Sequence, residues 1–203
     1  MKLHDVLAAG LVTLALTMPV RAADFADPTW PCLQRKVENL SIGLMWPHPL
    51  AEIKLTPETA RAADELAESL VLRRVSMEDA QSLVADFSAV HGSGEPLMGH
   101  VFEKVFKNLA SRRGQIIHGI EEFSLSQIAM TQRIDTARTE MDQQMAADAP
   151  DFDKVDKLEE QTDWDERIYT DRQKSLTYVC ETPVLLEKRL FAIAQMLIQT
   201  LAE

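Results

Sequence analysis

The two cysteines are the residues of this chain with the most specific chemistry. Cys32 and Cys180 are its only cysteines, and neither belongs to a Cys-x-x-Cys motif or stands near a helix start that would activate a thiol. A reactive or metal-binding pair is the alternative, but in an oxidising compartment an isolated pair favours one disulfide. That bond would span 148 positions (180 − 32), for which the chain-entropy model gives about 5 kcal/mol as an upper value.

Histidine and methionine form two loose clusters with side chains that suit copper or zinc. Met45 and His48 make one cluster, and His91, Met98 and His100 make the other. Neither has a repeated Met-x-x-Met or His-x-His spacing, and solvent exposure or a capping bond explains the histidines of the second cluster equally well. We expect no metal centre and no cofactor, and a copper- or zinc-binding sensor or carrier remains an alternative function.

Three aspartates at the end of a strongly acidic segment are candidates for calcium. Asp151, Asp153 and Asp156 lie within residues 135–171, which hold thirteen acidic and four basic residues and so carry a net charge of −9. An EF-hand loop needs an oxygen ligand where Val155 stands, then a glycine and a closing glutamate, so that motif fails. A solvated helical surface is the plain interpretation. An electrostatic docking site and a weak divalent-ion site are the alternatives.

Hydrolytic chemistry has no motif in this chain. The sequence contains no Gly-x-Ser-x-Gly, no His-Glu-x-x-His and no glycine loop of the phosphate-binding kind. A nucleophile also needs a base within hydrogen-bond reach and a third group that orients the base. We expect that the protein is not an enzyme, and an active site assembled from residues far apart in sequence is the alternative.

The first 23 residues have the pattern of a secretory signal. Lys2 precedes an apolar run from Val6 to Val20, and Ala22 or Ala23 supplies a small residue for cleavage. The run is too short to span a membrane comfortably, which argues against a retained anchor. We therefore expect export to the periplasm of a bacterial-type envelope, removal of residues 1–23, and no membrane insertion of the mature chain.

The charge of the mature chain narrows the class of partner. Loss of residues 1–23 leaves 180 residues (203 − 23), with 19 basic (21 − 2) and 31 acidic (32 − 1) side chains, a net charge of −12. This length suffices for a single domain with a real core. The negative charge disfavours nucleic acid and anionic membrane surfaces as partners.

The segment that follows the signal predicts an ordered but irregular strap. Residues 24–55 contain four prolines and two tryptophans, and they show no sustained helical or alternating period. Trp30 and Trp46 are expected to pack on the helices that follow, because large aromatic side chains in a small domain usually serve its core. A partner or ligand groove lined by the two tryptophans is the alternative.

Two shorter helices come next, and each has a clear start signal. Thr56-Pro57-Glu58 provides a cap, a proline at the first helical position and an acid in the first turn, which predicts a helix over 57–74. Ser76 with Asp79 three residues later predicts a second helix over 77–90. A turn rich in glycine and ending in proline, residues 91–96, stops the second helix.

The last hundred residues predict a long antiparallel helical hairpin that folds at Asp148-Ala149-Pro150. The spacing alternates between four and three residues on both sides, as in a coiled coil. The ascending seam is mostly apolar and consists of Ile116, Ile120, Phe123, Gln127, Met130, Ile134, Ala137 and Met141. The returning seam is half polar and consists of Val155, Leu158, Thr162, Asp165, Tyr169, Arg172, Leu176 and Val179.

The turn position sets the pairing of the two sides, so that opposed residues have numbers that sum to about 298. Cys180 then lies opposite His118, and Pro183 lies near Gly114. We expect a joint there, in which helix ends at Thr182 and restarts at Pro183, while the glycine permits a close approach of the two backbones.

Together these elements predict an all-α protein. Its base is a four-helix bundle formed by residues 57–74, 77–90, 97–117 and 183–201, within a domain that runs from 56 to 203. Its arm, at about 118–180, is a protruding coiled-coil-like hairpin of roughly 45 Å, from 1.5 Å rise per residue. One disulfide braces the whole.

The expected function is an exported soluble adaptor or interaction module that binds its partner through the acidic arm. A mostly apolar seam facing a half-polar one would leave apolar surface for another helix, unless Trp164 and Ile168 cover it by a register shift. The partner-binding candidates are Gln127, Met130, Ile134, Met141, Asp151, Asp153, Asp156, Trp164 and Ile168. The partner would be another protein, for example an envelope membrane complex, or a second copy of the chain. A periplasmic holdase chaperone is a further alternative.

Overall fold

The computed structural model describes residues 27–201, so the predicted signal peptide, residues 1–23, lies outside the described part of the chain. Within residues 27–201 all regular secondary structure is helical and there is no β-strand, which confirms the predicted all-α fold. After a 3-10 turn at Ile42–Leu44 in the strap, the helices are α1 (Pro57–Leu70), α2 (Met77–His91), α3 (Glu95–Met145) and α4 (Phe152–Gln199).

The two short helices start where their capping residues predict. The Thr56 hydroxyl accepts a hydrogen bond from the Thr59 amide at 3.1 Å, and the Ser76 hydroxyl accepts one from the Asp79 amide at 3.0 Å. Helix α1 ends at Leu70, four residues before the predicted end, because the chain must turn before α2 begins. A hydrogen bond from the Val75 amide to the Leu72 carbonyl, 3.1 Å long, closes that turn.

The base is a four-helix bundle around one apolar core. The main contacts run in a ring, from α1 to α2, α4, α3 and back to α1. The core cluster takes α3 residues up to Leu109 and α4 residues from Leu186 onward. Its largest fully buried side chains are Trp46, Leu70, Met98, Phe102, Leu109, Leu190, Ile193 and Leu197. The predicted bundle is therefore confirmed, with α3 and α4 each contributing only one end to it.

The predicted joint between base and arm is wrong. Helix α4 continues through Pro183, and a methyl group placed on Gly114 would meet nothing within 4 Å. A proline inside a helix costs about 3 kcal/mol. Here Cys180 and Leu186 are buried on either side of the proline, and we infer that this packing offsets the missing hydrogen bond. The two long helices therefore cross from base to arm without a break.

The pairing of the long helices agrees with the predicted sum of 298. Arg133 lies 3.5 Å from Asp165, and Arg172 donates a hydrogen bond to Ser126 at 3.2 Å. The helices are joined by residues 146–151, near the predicted fold point. Helix α4 then begins at a cap in which the Asp151 carboxylate accepts a hydrogen bond from the Lys154 amide at 3.1 Å.

The strap crosses the hairpin and then enters the base. Cys32 and Cys180 form the predicted disulfide, with Cα atoms 5.5 Å apart. Further along, Trp46 is 2 % exposed, and its ring lies 5.2 Å from that of Phe102. The packing interpretation is thus confirmed for Trp46. Trp30 is half-buried, and its indole N–H donates to the Gln34 carbonyl at 2.7 Å.

Among residues 27–201, no helix is both long enough and apolar enough to cross a bilayer. Along the long helices, buried apolar residues alternate with charged ones. The apolar side chains are buried against the other long helix or in the base.

Removal of the disulfide should destabilise the protein without removing its helices. We expect that Cys32→Ser combined with Cys180→Ser lowers the free energy of unfolding by about 2 to 5 kcal/mol, because the unfolded chain is then no longer closed into a long loop. Guanidinium unfolding monitored by circular dichroism measures this, with reduced wild type as the matched control. Equal free energies for oxidised and reduced protein would contradict the bracing role.

Substitution of Gly114 tests whether the backbones approach closely at that point. Gly114→Ala should raise the free energy of unfolding by about 0.5 to 1 kcal/mol, because alanine is the better helix former and the added methyl group meets no neighbour. Gly99→Ala is the matched control and should gain less, since its Cβ would lie 3.3 Å from a Leu50 methyl group and 3.5 Å from Trp46 Nε1. If Gly114→Ala instead destabilises the protein, the two backbones do approach closely at Gly114, as the sequence predicted.

Candidate functional site

The arm buries most of its own seam. Met130 is 4 % exposed and Ile134 is 7 % exposed, and none of the eight ascending seam positions is classed with the exposed residues. Met141, a further candidate on this seam, is half-buried. The apolar strip that the sequence led us to expect on these residues is therefore covered by α4.

The half-polar seam of α4 can cover the apolar seam because its polar groups are satisfied elsewhere. The buried Thr162 donates its hydroxyl to the Leu158 carbonyl of its own helix at 2.8 Å. Its oxygen is thereby satisfied within α4, which leaves the methyl group free for packing. Asp165 and Arg172 turn to the ion pair and the hydrogen bond with α3 described above. The polar groups of Thr162, Asp165 and Arg172 are thus satisfied within the hairpin.

Gln127 is the polar position within the ascending seam, and the structure satisfies only half of its amide. The side-chain N–H donates to the Tyr169 carbonyl at 3.3 Å. Its Oε1 atom is buried and has no hydrogen-bond partner among residues 27–201. This candidate therefore lies inside the arm, between the two helices, and does not face a partner directly.

Trp164 is the most exposed of the large apolar candidates. Two residues on a helix differ by about 200° around its axis, so Trp164 points away from α3 when the buried Thr162 points toward it. The indole is 62 % exposed, whereas Ile168 is half-buried. Trp164 consequently does not cover the seam by a register shift, and its side chain belongs to the outer surface of the arm.

The three candidate aspartates have different local roles. Asp151 caps α4, and Asp153 lies in the first turn, where a carboxylate favours the positive end of the helix dipole. Asp156 is exposed one turn further on. No group of three or more His, Cys, Asp or Glu side chains within residues 27–201 is arranged to hold a metal ion. Local helix chemistry therefore accounts for two of the three aspartates.

A groove on the outer face of α4 surrounds Trp164. Ion pairs between α3 and α4 occupy the flanks of the arm: Arg138 with Glu166 at 2.6 Å, and Lys154 with Glu140 at 2.5 Å. The groove, called the outer groove below, is lined by Asp156, Lys157, Glu159, Glu160, Gln161, Asp163, Trp164 and Arg167. Its four carboxylates make no ion pair within 4 Å among the described residues. The arm's internal pairing thus leaves acidic groups free beside an exposed indole.

The residues named as soft-metal candidates have structural partners. Met98 is fully buried in the core, and Met45 packs against that core. The imidazole of His48 lies 3.1 Å from the Glu95 carboxylate, and the ring of His91 lies 4.9 Å from that of Phe87. His100 is half-buried on α3, on the first turns of the helix. Packing and the contact with Glu95 therefore account for four of these five side chains.

The junction of strap and hairpin is a polar cluster that the sequence analysis missed. Ser124 on α3 donates its hydroxyl to the Pro28 carbonyl at 2.8 Å. Lys36 pairs with Glu121, and this hydrogen bond raises the pKa of the lysine above its ordinary value. Arg113, almost fully buried, lies 2.5 Å from Glu187. These partners lie about 70 to 100 positions apart in the chain, so no local spacing could have indicated them.

The outer face of α4 presents carboxylates beside the exposed Trp164 indole, so it can offer ion pairs and apolar contacts to another molecule. No protein-family model matches the chain, and no curated protein or solved structure shows significant similarity to it. The geometry of the described residues is therefore the basis for a functional proposal.

Truncation of Trp46 and truncation of Trp164 should have very different effects on the free energy of unfolding. Trp46→Ala should lower the free energy of unfolding by about 3 to 5 kcal/mol, because it empties a buried site in the core. Trp164→Ala should change it by no more than about 0.5 kcal/mol, because the indole is mostly in water. Denaturant unfolding followed by circular dichroism compares the two, and a comparable loss in both would show that Trp164 also serves packing.

Proposed function

We propose that the protein is an exported, non-enzymatic interaction module of a bacterial-type cell envelope, and that another protein binds the outer surface of its arm. The observation that carries this proposal is the division of the fold. The shared core ends at Leu109 on α3 and at Leu186 on α4, and both helices continue far beyond it. A segment of that length adds little to the base, so its use lies in what it presents.

The arm is built as a firm support for such a surface. Its seam is sealed by Met130, Ile134 and Ala137, and cross-helix ion pairs fix its flanks. A binding surface on paired helices is more precisely held than one on a loop, because packing between the helices has already fixed the backbone that carries its side chains. A partner therefore meets an arranged face and does not have to order it.

The compartment follows from two independent features of the chain. A disulfide between Cys32 and Cys180 is compatible with an oxidising environment outside the cytoplasm. The predicted signal peptide points the same way. From the disulfide and the predicted signal peptide together we place the mature protein in the periplasm, where a membrane complex of the envelope is an accessible partner.

Charge favours a different protein over a second copy as the partner. Residues 135–171 carry a net charge of −9, so two arms brought side by side repel one another. The same sign disfavours nucleic acid and anionic lipid. The arm therefore selects against three of the most common classes of partner and leaves proteins with neutral or basic surfaces.

Shortening the arm tests this function. A variant in which residues 127–167 are replaced by a short loop keeps both cysteines and the whole core cluster, so circular dichroism and thiol titration should report a folded, oxidised base. Affinity capture from an envelope extract, followed by mass spectrometry, should identify a partner for the full chain and lose it for the variant. Undiminished capture by the folded variant would refute the assignment to the arm.

A further inference from the structure

We propose that the outer groove of α4 binds a basic amphipathic segment of the partner protein, with Trp164 receiving an arginine or lysine side chain and the carboxylates of the groove pairing with further cations. This inference rests on the function proposed above and deepens it by naming the surface and the chemistry of the occupant. It moves recognition from the buried seam residues Met130 and Ile134 to the opposite face of the arm.

The exposure of Trp164 is the first step. An indole that is 62 % exposed keeps a large apolar area in water, and the fold offers no packing that would explain it, since Thr162 two residues earlier takes the inward position. Tryptophan is the aromatic side chain best suited to a cation over its ring face, and it is enriched where binding energy concentrates. Its position in the middle of the outer surface therefore indicates contact with another molecule.

The distribution of ion pairs is the second step. Arg133, Arg138 and Lys154 are each engaged by a carboxylate across the hairpin. On the outer groove the carboxylates of Asp156, Glu159, Glu160 and Asp163 have no such partner within the described residues. Asp156, Glu160 and Asp163 follow one another at spacings of four and three along α4, and Glu159 lies beside Glu160. The first three therefore form a row with one acidic group per helical turn.

The groove runs along one helix, and its length sets the length of a helical occupant. From Asp156 to Arg167 the groove covers eleven residues of rise, which corresponds to about 17 Å. A partner helix of three turns with basic residues at the same spacing of three and four would place one cation opposite each of the three carboxylates in that row. Lys157 and Arg167 also line the groove, and either can pair with an acidic residue at the edge of the partner segment. Charge complementarity of this kind favours fast encounter and fixes register.

The direct test is a titration of the full oxidised chain with a designed peptide. The peptide has about 14 residues, enough for nearly four helical turns, with arginine at helical spacing on one face and leucine beside it. The three tryptophan indole N–H groups give three assignable signals in a nitrogen-15 correlation spectrum. Saturable shifts confined to the Trp164 signal are expected, and they should weaken as salt is added, because exposed ion pairs are screened.

Matched variants separate this surface from general attraction to an acidic protein. Trp164→Ala should lower the affinity for the peptide by about tenfold, because one cation–π and apolar contact is lost. Glu160→Gln with Asp163→Asn should weaken it further and reduce the salt dependence. Tyr178→Ala removes another exposed aromatic side chain of α4 outside the groove and should leave the affinity unchanged. A peptide with glutamate in place of arginine should not bind.

Failure of this inference is distinguishable from failure of the proposed function. Absence of binding by the arginine peptide, or equal binding by the Trp164→Ala and Tyr178→Ala variants, overturns the assignment of the groove. If the partner captured by the full chain is then still lost on shortening the arm, the arm retains its function through another face. If that partner is retained on shortening, the proposed function falls as well.

Discussion

The crossing of the strap over the two long helices is the constraint on which the rest of the structure depends. The disulfide between Cys32 and Cys180 fixes the crossing point on α4, and the Ser124 hydrogen bond to Pro28 fixes it on α3. From there the strap reaches the base, where Trp46 fills the core. The disulfide thus joins the start of the described chain to α4 at the boundary between base and arm, and Trp46 joins the strap to the bundle.

The same boundary contains a buried polar cluster. Arg113 is nearly fully buried, lies 2.5 Å from Glu187 and donates a further hydrogen bond to the Glu38 carbonyl of the strap at 3.3 Å. A buried charge is tolerable only when it is paired and hydrogen-bonded in this way. Because these contacts join three separate segments, they favour one arrangement of strap and hairpin over alternatives that apolar packing alone would permit.

Base and arm solve the problem of burial differently. In the base, four helices share an apolar core in which Phe102, Leu190 and their neighbours are fully buried. In the arm, only two helices are present, so each can bury a narrow stripe and must leave the remaining surface in water. That geometry leaves a long face of the arm exposed. It is on this face that the unpaired carboxylates and Trp164 lie, which links the proposed function to the physics of a two-helix support.

Much of this protein was determined by its sequence alone, namely the all-α class, the helix starts at Thr56 and Ser76, the hairpin with its pairing, and the disulfide. These features rest on local capping, on periodicity and on a unique cysteine pair, all of which are readable from spacing. Only the tertiary structure decided that α4 runs through Pro183, that the half-polar seam covers Met130, and that Trp164 faces outward beside unpaired carboxylates. Each of these outcomes depends on which side chains meet across the hairpin and the strap, because packing between segments distant in the chain outweighs the local preference of a proline, a threonine or a tryptophan.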